Sequence, residues 1–340
     1  MNQDFLSCDW GTSSFRLRRV SGPERTVIRE IHEQAGVKSL YEEATRSGAE
    51  SEAGRAGVFA NFLRHKLEEL RAGEKTLERT LPLVISGMAS SSVGWRELPY
   101  AKTPFPINGR GLHSNELDWH KPEWVGPTHL ISGLATAYDM MRGEEMEITG
   151  LMSDASLAAL RERSLLILPG THSKHIWIED QSVVDFRTFM TGELFEVLGR
   201  QSLLKASVDA AGHTRSDSLS EPDRAAFQEG VSWAKAHGLA GGLFRVRTRA
   251  VLDHRPLADN TYFFSGLLIG AELESIVRNA ENRPVVLGAT RGLSELYGLA
   301  LEMVAGRAIQ WIQLPPEQVE RATIAAHALF LQNRTAGETK

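Results

Sequence analysis

The chain has 340 residues, 42% hydrophobic and 24% charged, as expected of an ordinary globular protein with one large domain or two. A net charge of −5 leaves no basic surplus to neutralise phosphates, so no nucleic-acid partner is expected. No apolar run approaches a membrane span, residues 1–4 lack the features of a secretory leader, and Cys8 is the single cysteine, which together predict a cytoplasmic protein without a membrane partner.

Phe5 and Leu6 open a short apolar run, followed by Asp9-Trp10-Gly11-Thr12-Ser13-Ser14. Alternation at Phe15, Leu17 and Val20, a Ser21-Gly22-Pro23 turn and a β-rich run over residues 26–31 complete the stretch. Period-two alternation broken by polar turns predicts antiparallel hairpins. Cys8 reads as a small core residue of the first strand. Arg16, Arg18 and Arg19 read as the exposed side of the hairpin.

Residues 81–85 read as a buried strand ending at a hydroxyl-rich turn, Ser86-Gly87-Met88-Ala89-Ser90-Ser91-Ser92. Ligands of open α/β sheets bind beyond the carboxyl ends of strands, so this turn is a candidate substrate site. Residues 99–111, with three prolines and two glycines, read as a loop that would close over a substrate. His113, Glu116 and His120 lack the spacing of a zinc-binding helix and read as exposed side chains.

The pattern of the N-terminal stretch returns further on. Residues 165–168 are apolar, Gly170-Thr171-His172-Ser173 follows, and Ile176 and Ile178 alternate before an Asp180-Gln181-Ser182 turn and a third strand over residues 183–186. Gly11-Thr12 and Gly170-Thr171 thus sit at equivalent turns, and the repeat predicts a duplicated fold with two facing halves. A plain hairpin is served by Asn-Gly or Asp-Gly. Backbone N–H groups in a glycine-containing turn form an anion nest, and neighbouring hydroxyls add donors. Two such turns would clamp a polyphosphate, with Gly11, Thr12 and Ser13 on one side and Gly170, Thr171, His172, Ser173 and Lys174 on the other. Asp9 beside the first turn would hold Mg²⁺.

Thr191 is placed to cap a helix through residue 204, with Leu194, Val197 and Leu198 at helical spacing. A further helix is predicted over residues 266–277, with Ile269, Leu273 and Ile276 on one face. Gly266 and Gly270 lie one turn apart on it, which admits either a neighbouring backbone or a nucleotide. No Walker lysine motif and no Gly-x-Ser-x-Gly elbow occurs.

Several blocks carry a resemblance: Asp9-Trp10-Gly11-Thr12-Ser13, Ser86-Gly87-Met88, Gly94-Trp95, Met141-Arg142-Gly143-Glu144-Glu145, the run from Leu168 to Lys174, the run from Asp185 to Leu194, and Ser265-Gly266-Leu267-Leu268-Ile269-Gly270-Ala271-Glu272. In this order they resemble the 2-dehydro-3-deoxygalactonokinase family, over most of the chain. The resemblance implies an α/β protein of the actin-like, hexokinase-type ATPase superfamily, with two ribonuclease-H-like lobes around a central cleft. Residues 1–155 would form the lobe with the first phosphate hairpin and the sugar-acid site. Residues 156–340 would form the lobe with the second hairpin and the adenosine site, the last helix being free to pack back on the first lobe.

The implied activity is transfer of the ATP γ-phosphate, with Mg²⁺, to the primary hydroxyl of a 2-keto-3-deoxy sugar acid in galactonate catabolism, 2-dehydro-3-deoxy-D-galactonate first. Similarity to sugar kinases implies a substrate site at Ser86, Gly87, Met88, Ser91, Gly94 and Trp95. Arg142 would pair with the sugar-acid carboxylate through its planar fork. Gly288 and Gly292, with Gly266 and Gly270, fall on the adenosine side. Related kinases carry their base in a Gly-Asp segment opening a helix, which corresponds here to Gly143-Glu144-Glu145. Glu144 is the first choice and Glu145 the second, the helix register staying open, and acidic residues also favour any helix's first turn through its dipole. A kinase of another sugar acid, a non-catalytic ATP-binding sensor or scaffold, and a homodimer remain alternatives. The chain departs from the family pattern at residues 315–323, at His175 and in the loop 288–292.

Overall fold

The computed structural model describes residues 3–22, 24–73, 80–209, 219–280, 282–306 and 309–337. Pro23 of the expected Ser-Gly-Pro turn lies outside them. In chain order the first elements are β1 (Phe5–Trp10), β2 (Phe15–Val20), β3 (Val27–Glu33), α1 (Val37–Arg46), α2 (Glu52–Arg71), β4 (Leu81–Gly87), β5 (Val125–Ile131) and α3 (Glu144–Met152). There follow β6 (Arg163–Leu168), β7 (Ser173–Glu179), β8 (Ser182–Phe189), α4 (Thr191–Gln201), α5 (Glu221–Val251) and α6 (Leu257–Asn279). The chain ends with β9 (Val285–Leu287), α7 (Arg291–Ala305), β10 (Trp311–Gln313), α8 (Pro316–Glu320) and α9 (Ala322–Gly337). No helix among the described residues is long and apolar enough to cross a membrane.

Two compact units result. The first takes Met1–Ala158 with Gln181–Val183 and Arg321–Lys340, and the second Ala159–Asp180 with Val184–Glu320. In the first, the strands lie in the order β3-β2-β1-β4-β5, with Ser114–Glu116 at the far edge. β1, β2 and β3 are antiparallel neighbours, whereas β4 runs parallel to β1 and β5 parallel to β4. One sheet face carries Leu6, Cys8, Trp10, Leu17 and Ile85 and packs with Phe59, Leu63 and Leu67 of α2. Helix α2 starts at Ser51, whose hydroxyl accepts the N–H of Gly54 at 3.2 Å, with Glu52 in its first turn and Arg71 in its last, as the helix dipole favours.

The other face carries Phe5, Val20 and Val84 and packs with Met146 of α3 and Ile324 of α9. Helix α9 docks directly on α3: a Cβ at Gly150 would lie 1.8 Å from the Ala322 carbonyl oxygen. This cover corrects the expected exposure of Arg18. Arg18 shares this face with Ser7 and Asp9, is 4% exposed, and pairs with Glu30 at 2.5 Å. Strand β1 also runs further than the apolar run indicated, because Trp10 is a fully buried core residue.

The second unit's strands β8-β7-β6-β9-β10 repeat the order β3-β2-β1-β4-β5. β7 is antiparallel to β6, and β9 and β10 run parallel to it and to each other. Both units are therefore ribonuclease-H-like sheets of one topology. The turn into β8 uses Asp180 and Gln181 at φ 46° and 58°, the left-handed pair of a type I′ hairpin. Helices α5 and α6 pack backbone to backbone, because a Cβ at Gly230 or Gly266 would lie 2.1 Å from a carbonyl oxygen of the other helix. Helix α6 starts at Leu257, well before Gly266: Asn260 in its first turn is buried and donates to the carbonyls of Ser207 and Val246, so the segment is held as core. Thr191 is not the cap of α4. The cap position is Met190, and the Thr191 hydroxyl donates instead to Glu272 at 2.5 Å.

Candidate active site

In the first unit, Asp9 and Trp10 end β1 opposite Ser86 and Gly87 of β4. Gly87 has φ 91° and lies so close to β1 that a Cβ would be 2.7 Å from the Trp10 oxygen. Gly143, at φ 110°, lies against Gly87, a Cβ on it reaching within 3.6 Å of the Gly87 Cα. Two left-handed glycines thus bring the start of α3 to the carboxyl ends of two parallel strands, a place no side-chain-bearing residue reaches without strain.

The two acidic residues that follow Gly143 are used differently. Glu145 is 1% exposed, and its carboxylate turns back to accept the Gly143 N–H at 3.0 and 2.8 Å. Burial, then the charge of Glu144, pushes its pKa well above the usual carboxylate range. Glu144 stays half-buried. Its charge is felt at Asp9, whose pKa is raised first by burial and also by Glu144, against the lowering pull of Arg18 and Arg16. The contact of Gly143 with Gly87 thus places the start of α3, with Glu144, at the end of the strand that carries Asp9.

Among the described residues no group of three or more His, Cys, Asp or Glu is assembled for a metal ion. Mg²⁺ requires less than that, since it keeps several waters and takes one or two carboxylates plus substrate phosphates. The carboxylate of Asp9, at the carboxyl end of β1, is a donor of the kind such an ion takes.

The turn after β4 is braced from within. Ser86 is fully buried and bonds Nε2 of His327 at 3.0 Å, while His327 Nδ1 bonds Ser7 at 2.8 Å. Ser90 and Ser91 donate to the carbonyls of Gly87 and Met88 at 3.2 and 2.7 Å. Arg142 is spent on the same turn. Nη1 donates to Ser90 Oγ at 2.7 Å, Nη2 to the Leu98 carbonyl at 2.8 Å, and the guanidinium sits 3.9 Å from the Tyr100 ring centre. Trp95 is 3% exposed and packs edge-on against Trp119, and a Cβ at Gly94 would lie 2.4 Å from the Ala89 oxygen. Ser86, Gly94, Trp95 and Arg142 thus hold the turn in shape. Half-buried Met88 packs against the core of the same face as Trp10.

The two hairpin turns differ in length: four residues separate the paired Trp10 and Phe15, and five separate the paired Leu168 and Lys174. Gly11 N–H donates to the Ser14 carbonyl at 2.9 Å, and Thr12 and Ser13 stay exposed. In the second unit Thr171 and His172 are exposed and Gly170 half-buried, with His172 Nε2 2.5 Å from Glu193. Ser173 and Lys174 point away from solvent. Ser173 is fully buried and donates to Glu272 at 2.6 Å, and Lys174, 2% exposed, turns Nζ back to the His172 carbonyl at 2.8 Å. The open part of the turn is Gly170, Thr171 and His172.

Gly170, Gly192, Ser265 and Leu293 line one pocket of the second unit. Gly288 follows β9, its N–H bonded to the Ile167 carbonyl at 2.8 Å, and Gly292 lies in the first turn of α7. Gly266 and Gly270 do not open to a nucleotide. A Cβ at Gly266 would lie 2.1 Å from the Phe227 oxygen, and one at Gly270 2.9 Å from the Val231 Cα, so helix α5 fills that face. His327 and Glu272 are the participants that local sequence patterns do not reveal as such: Glu272 lies within a family-like block, and His327 has no signal at all.

The model of the 2-keto-3-deoxy-galactonokinase family matches residues 9–325. The chain is 31% identical over 307 residues to the 2-dehydro-3-deoxygalactonokinase of Escherichia coli (strain K12), spanning 89% of this chain and 90% of that protein. It is 32% identical over 308 residues to a candidate 2-dehydro-3-deoxygalactonokinase of Rhizobium meliloti (strain 1021), spanning 88% and 89%. A solved structure of a candidate 2-dehydro-3-deoxygalactonokinase from Sinorhizobium meliloti shares the fold at a TM-score of 0.71 over 95% of each chain, with 28% identity.

Proposed function

The chain belongs to the 2-keto-3-deoxy-galactonokinase family, and from this premise we propose that it transfers the γ-phosphoryl group of ATP to the primary hydroxyl of a 2-keto-3-deoxy sugar acid, 2-dehydro-3-deoxy-D-galactonate first. The observation that carries the site assignment is the packing of Gly143 on Gly87, and of Gly87 on Trp10, which sets the start of α3 at the end of the strand that carries Asp9. Phosphoryl transfer asks for positioning and charge neutralisation more than covalent chemistry.

Glu144 is the base in this reading. It is half-buried at the start of α3 and, unlike Glu145, is not drawn back onto the Gly143 N–H. It would take the proton of the sugar hydroxyl as that oxygen bonds to the γ-phosphorus and the bond to the ADP oxygen breaks. Asp9 would hold Mg²⁺, which supplies charge neutralisation of the phosphates when bound. The turns that expose Thr12 and Ser13 and that expose Thr171 and His172 would each offer backbone N–H groups and hydroxyls to phosphate oxygens. The Arg142-braced turn around Gly87 and Met88 would receive the sugar acid. Use of ATP and a catabolic sugar acid supports a cytoplasmic location.

The test is ADP formation from ATP with Mg²⁺ across a panel of 2-keto-3-deoxy sugar acids. Release dependent on 2-dehydro-3-deoxy-D-galactonate is the expected result. Preference for another acid would change the substrate and keep the kinase. No substrate-dependent ADP from folded protein that binds ATP would favour a nucleotide-binding sensor.

A further inference from the structure

Glu272 lies inside the second unit on α6, 3% exposed, and four side chains converge on its carboxylate. Oε1 accepts from the Ser173 hydroxyl at 2.6 Å and pairs with His175 Nε2 at 3.0 Å. Oε2 accepts from the Thr191 hydroxyl at 2.5 Å and from the Tyr297 hydroxyl at 2.8 Å. An ionised carboxylate has about four acceptor sites. These partners occupy all of them, so Glu272 is a junction between elements and has no acceptor left for a ligand.

What it joins is specific. Ser173 is the first residue of β7, directly after the Gly170-Thr171-His172 turn, and His175 follows two residues on. Thr191 is the first residue of α4. The next two residues of α4 lie on that turn: a Cβ at Gly192 would be 2.6 Å from the Gly170 oxygen, and the Glu193 N–H donates to the Thr171 carbonyl at 3.1 Å. One carboxylate therefore holds both the strand that leaves the turn and the helix that supports it.

We infer that Glu272 is a positioning residue for nucleotide phosphate, acting through the Gly170–His172 turn by tying Ser173 and His175 to Thr191. This rests on the assignment of that turn to phosphate binding. A loop that must present N–H groups to an anion loses affinity when those groups are no longer pre-arranged. Glu272→Gln would turn half of the junction from acceptor into donor, set against two donors, and so uncouple one side of the turn from the other.

The test is the ATP dissociation constant by calorimetry, with kcat and both KM values, in the full chain. Glu272→Gln is expected to weaken ATP binding and raise KM for ATP by about tenfold or more, as loss of hydrogen bonds to a charged group implies. KM for the sugar acid should stay within about twofold, since that substrate is assigned to the other unit. Thr191→Val should reproduce the loss of ATP affinity and Thr191→Ser, which keeps the hydroxyl, should restore it. This pair gives the answer where Glu272→Gln does not fold. Lower melting temperatures with unchanged ATP affinity in both Glu272→Gln and Thr191→Val would overturn the inference. Thr171→Val separates it from its premise. If Thr171→Val alone weakens ATP binding, the phosphate turn stands and the role of Glu272 falls; if neither change weakens it, the assignment of the turn falls and the inference with it.

Discussion

The carbonyl of Thr171 accepts the backbone N–H of Glu193 at 3.1 Å, and in the other unit the carbonyl of Thr12 accepts the N–H of Lys38, also at 3.1 Å. In each unit a glycine precedes the donor and lets the helix start touch the turn. A Cβ at Gly36 would lie 2.3 Å from the Thr12 oxygen, and one at Gly192 2.6 Å from the Gly170 oxygen. The duplication thus reaches beyond the sheets to how each turn is supported from behind.

Gly192→Ala should push α4 off its turn. Backbone atoms cannot yield as a side chain does, so a cost of about 1–3 kcal/mol is expected, with a fall in ATP affinity alongside it. Gly57→Ala is the control. It sits in α2 with nothing within 4 Å of a new methyl group, and should gain up to about 1 kcal/mol through helix propensity. Thermal melts and ATP titrations of the two variants check this. A Gly192→Ala protein as stable and as tight for ATP as wild type would show that the contact does not support the turn.

Glu144→Gln and Glu145→Gln should part company. The first is expected to lose turnover by roughly 10²-fold or more while ATP binding and melting temperature hold. Glu145→Gln keeps an acceptor for the Gly143 N–H and should retain turnover. Single-turnover rates with both variants decide between them. The reverse order of loss would move the base to Glu145.

Arg142→Lys should loosen the substrate turn. A lysine is a point charge and cannot hold Ser90 Oγ and the Leu98 carbonyl with one planar fork, nor stack on Tyr100 in the same way. A loss of about 1.5–3 kcal/mol of stability is expected for a buried charged hydrogen bond, with a raised KM for the sugar acid and little change in KM for ATP. Equal KM values in variant and wild type would detach this turn from substrate binding.

His327 sets a direction for acid stability. Burial, then the charge of Arg18, lowers its pKa from 6.5 to about 3, so the folded protein keeps it neutral between Ser7 and Ser86. Below about 6.5 the unfolded chain binds a proton that the folded chain refuses. Its contribution is therefore complete above that pH and declines as pH falls toward 3, by up to about 1.4 kcal/mol per unit. Urea melts at pH 7.5 and pH 5 should show a smaller loss in His327→Gln than in wild type. An identical loss in both would place the acid sensitivity elsewhere.

The sequence by itself determined the elements whose signals are local. Alternation around Asp9 and again around Gly170 marked the hairpins, since a strand's two faces repeat every two residues whatever lies above them. The Gly-Thr pairs marked the exposed turns, and the resemblance to related kinases, not a local signal, placed a helix start at Gly143. Only the tertiary structure decided which side chains those turns leave open. Ser173, His175 and Thr191 meet Glu272 across 99, 97 and 81 residues, and His327 meets Ser7 across 320. Helix α9 returns from the end of the chain to cover the face that carries Arg18, which alternation alone would leave in water. Glu144 and Glu145 are alike in propensity and charge, and what separates them is that the Glu145 carboxylate is buried and turns back to the Gly143 N–H while Glu144 stays half-buried. Burial and partner choice depend on which element covers which face, and that is set by contacts between segments far apart in sequence.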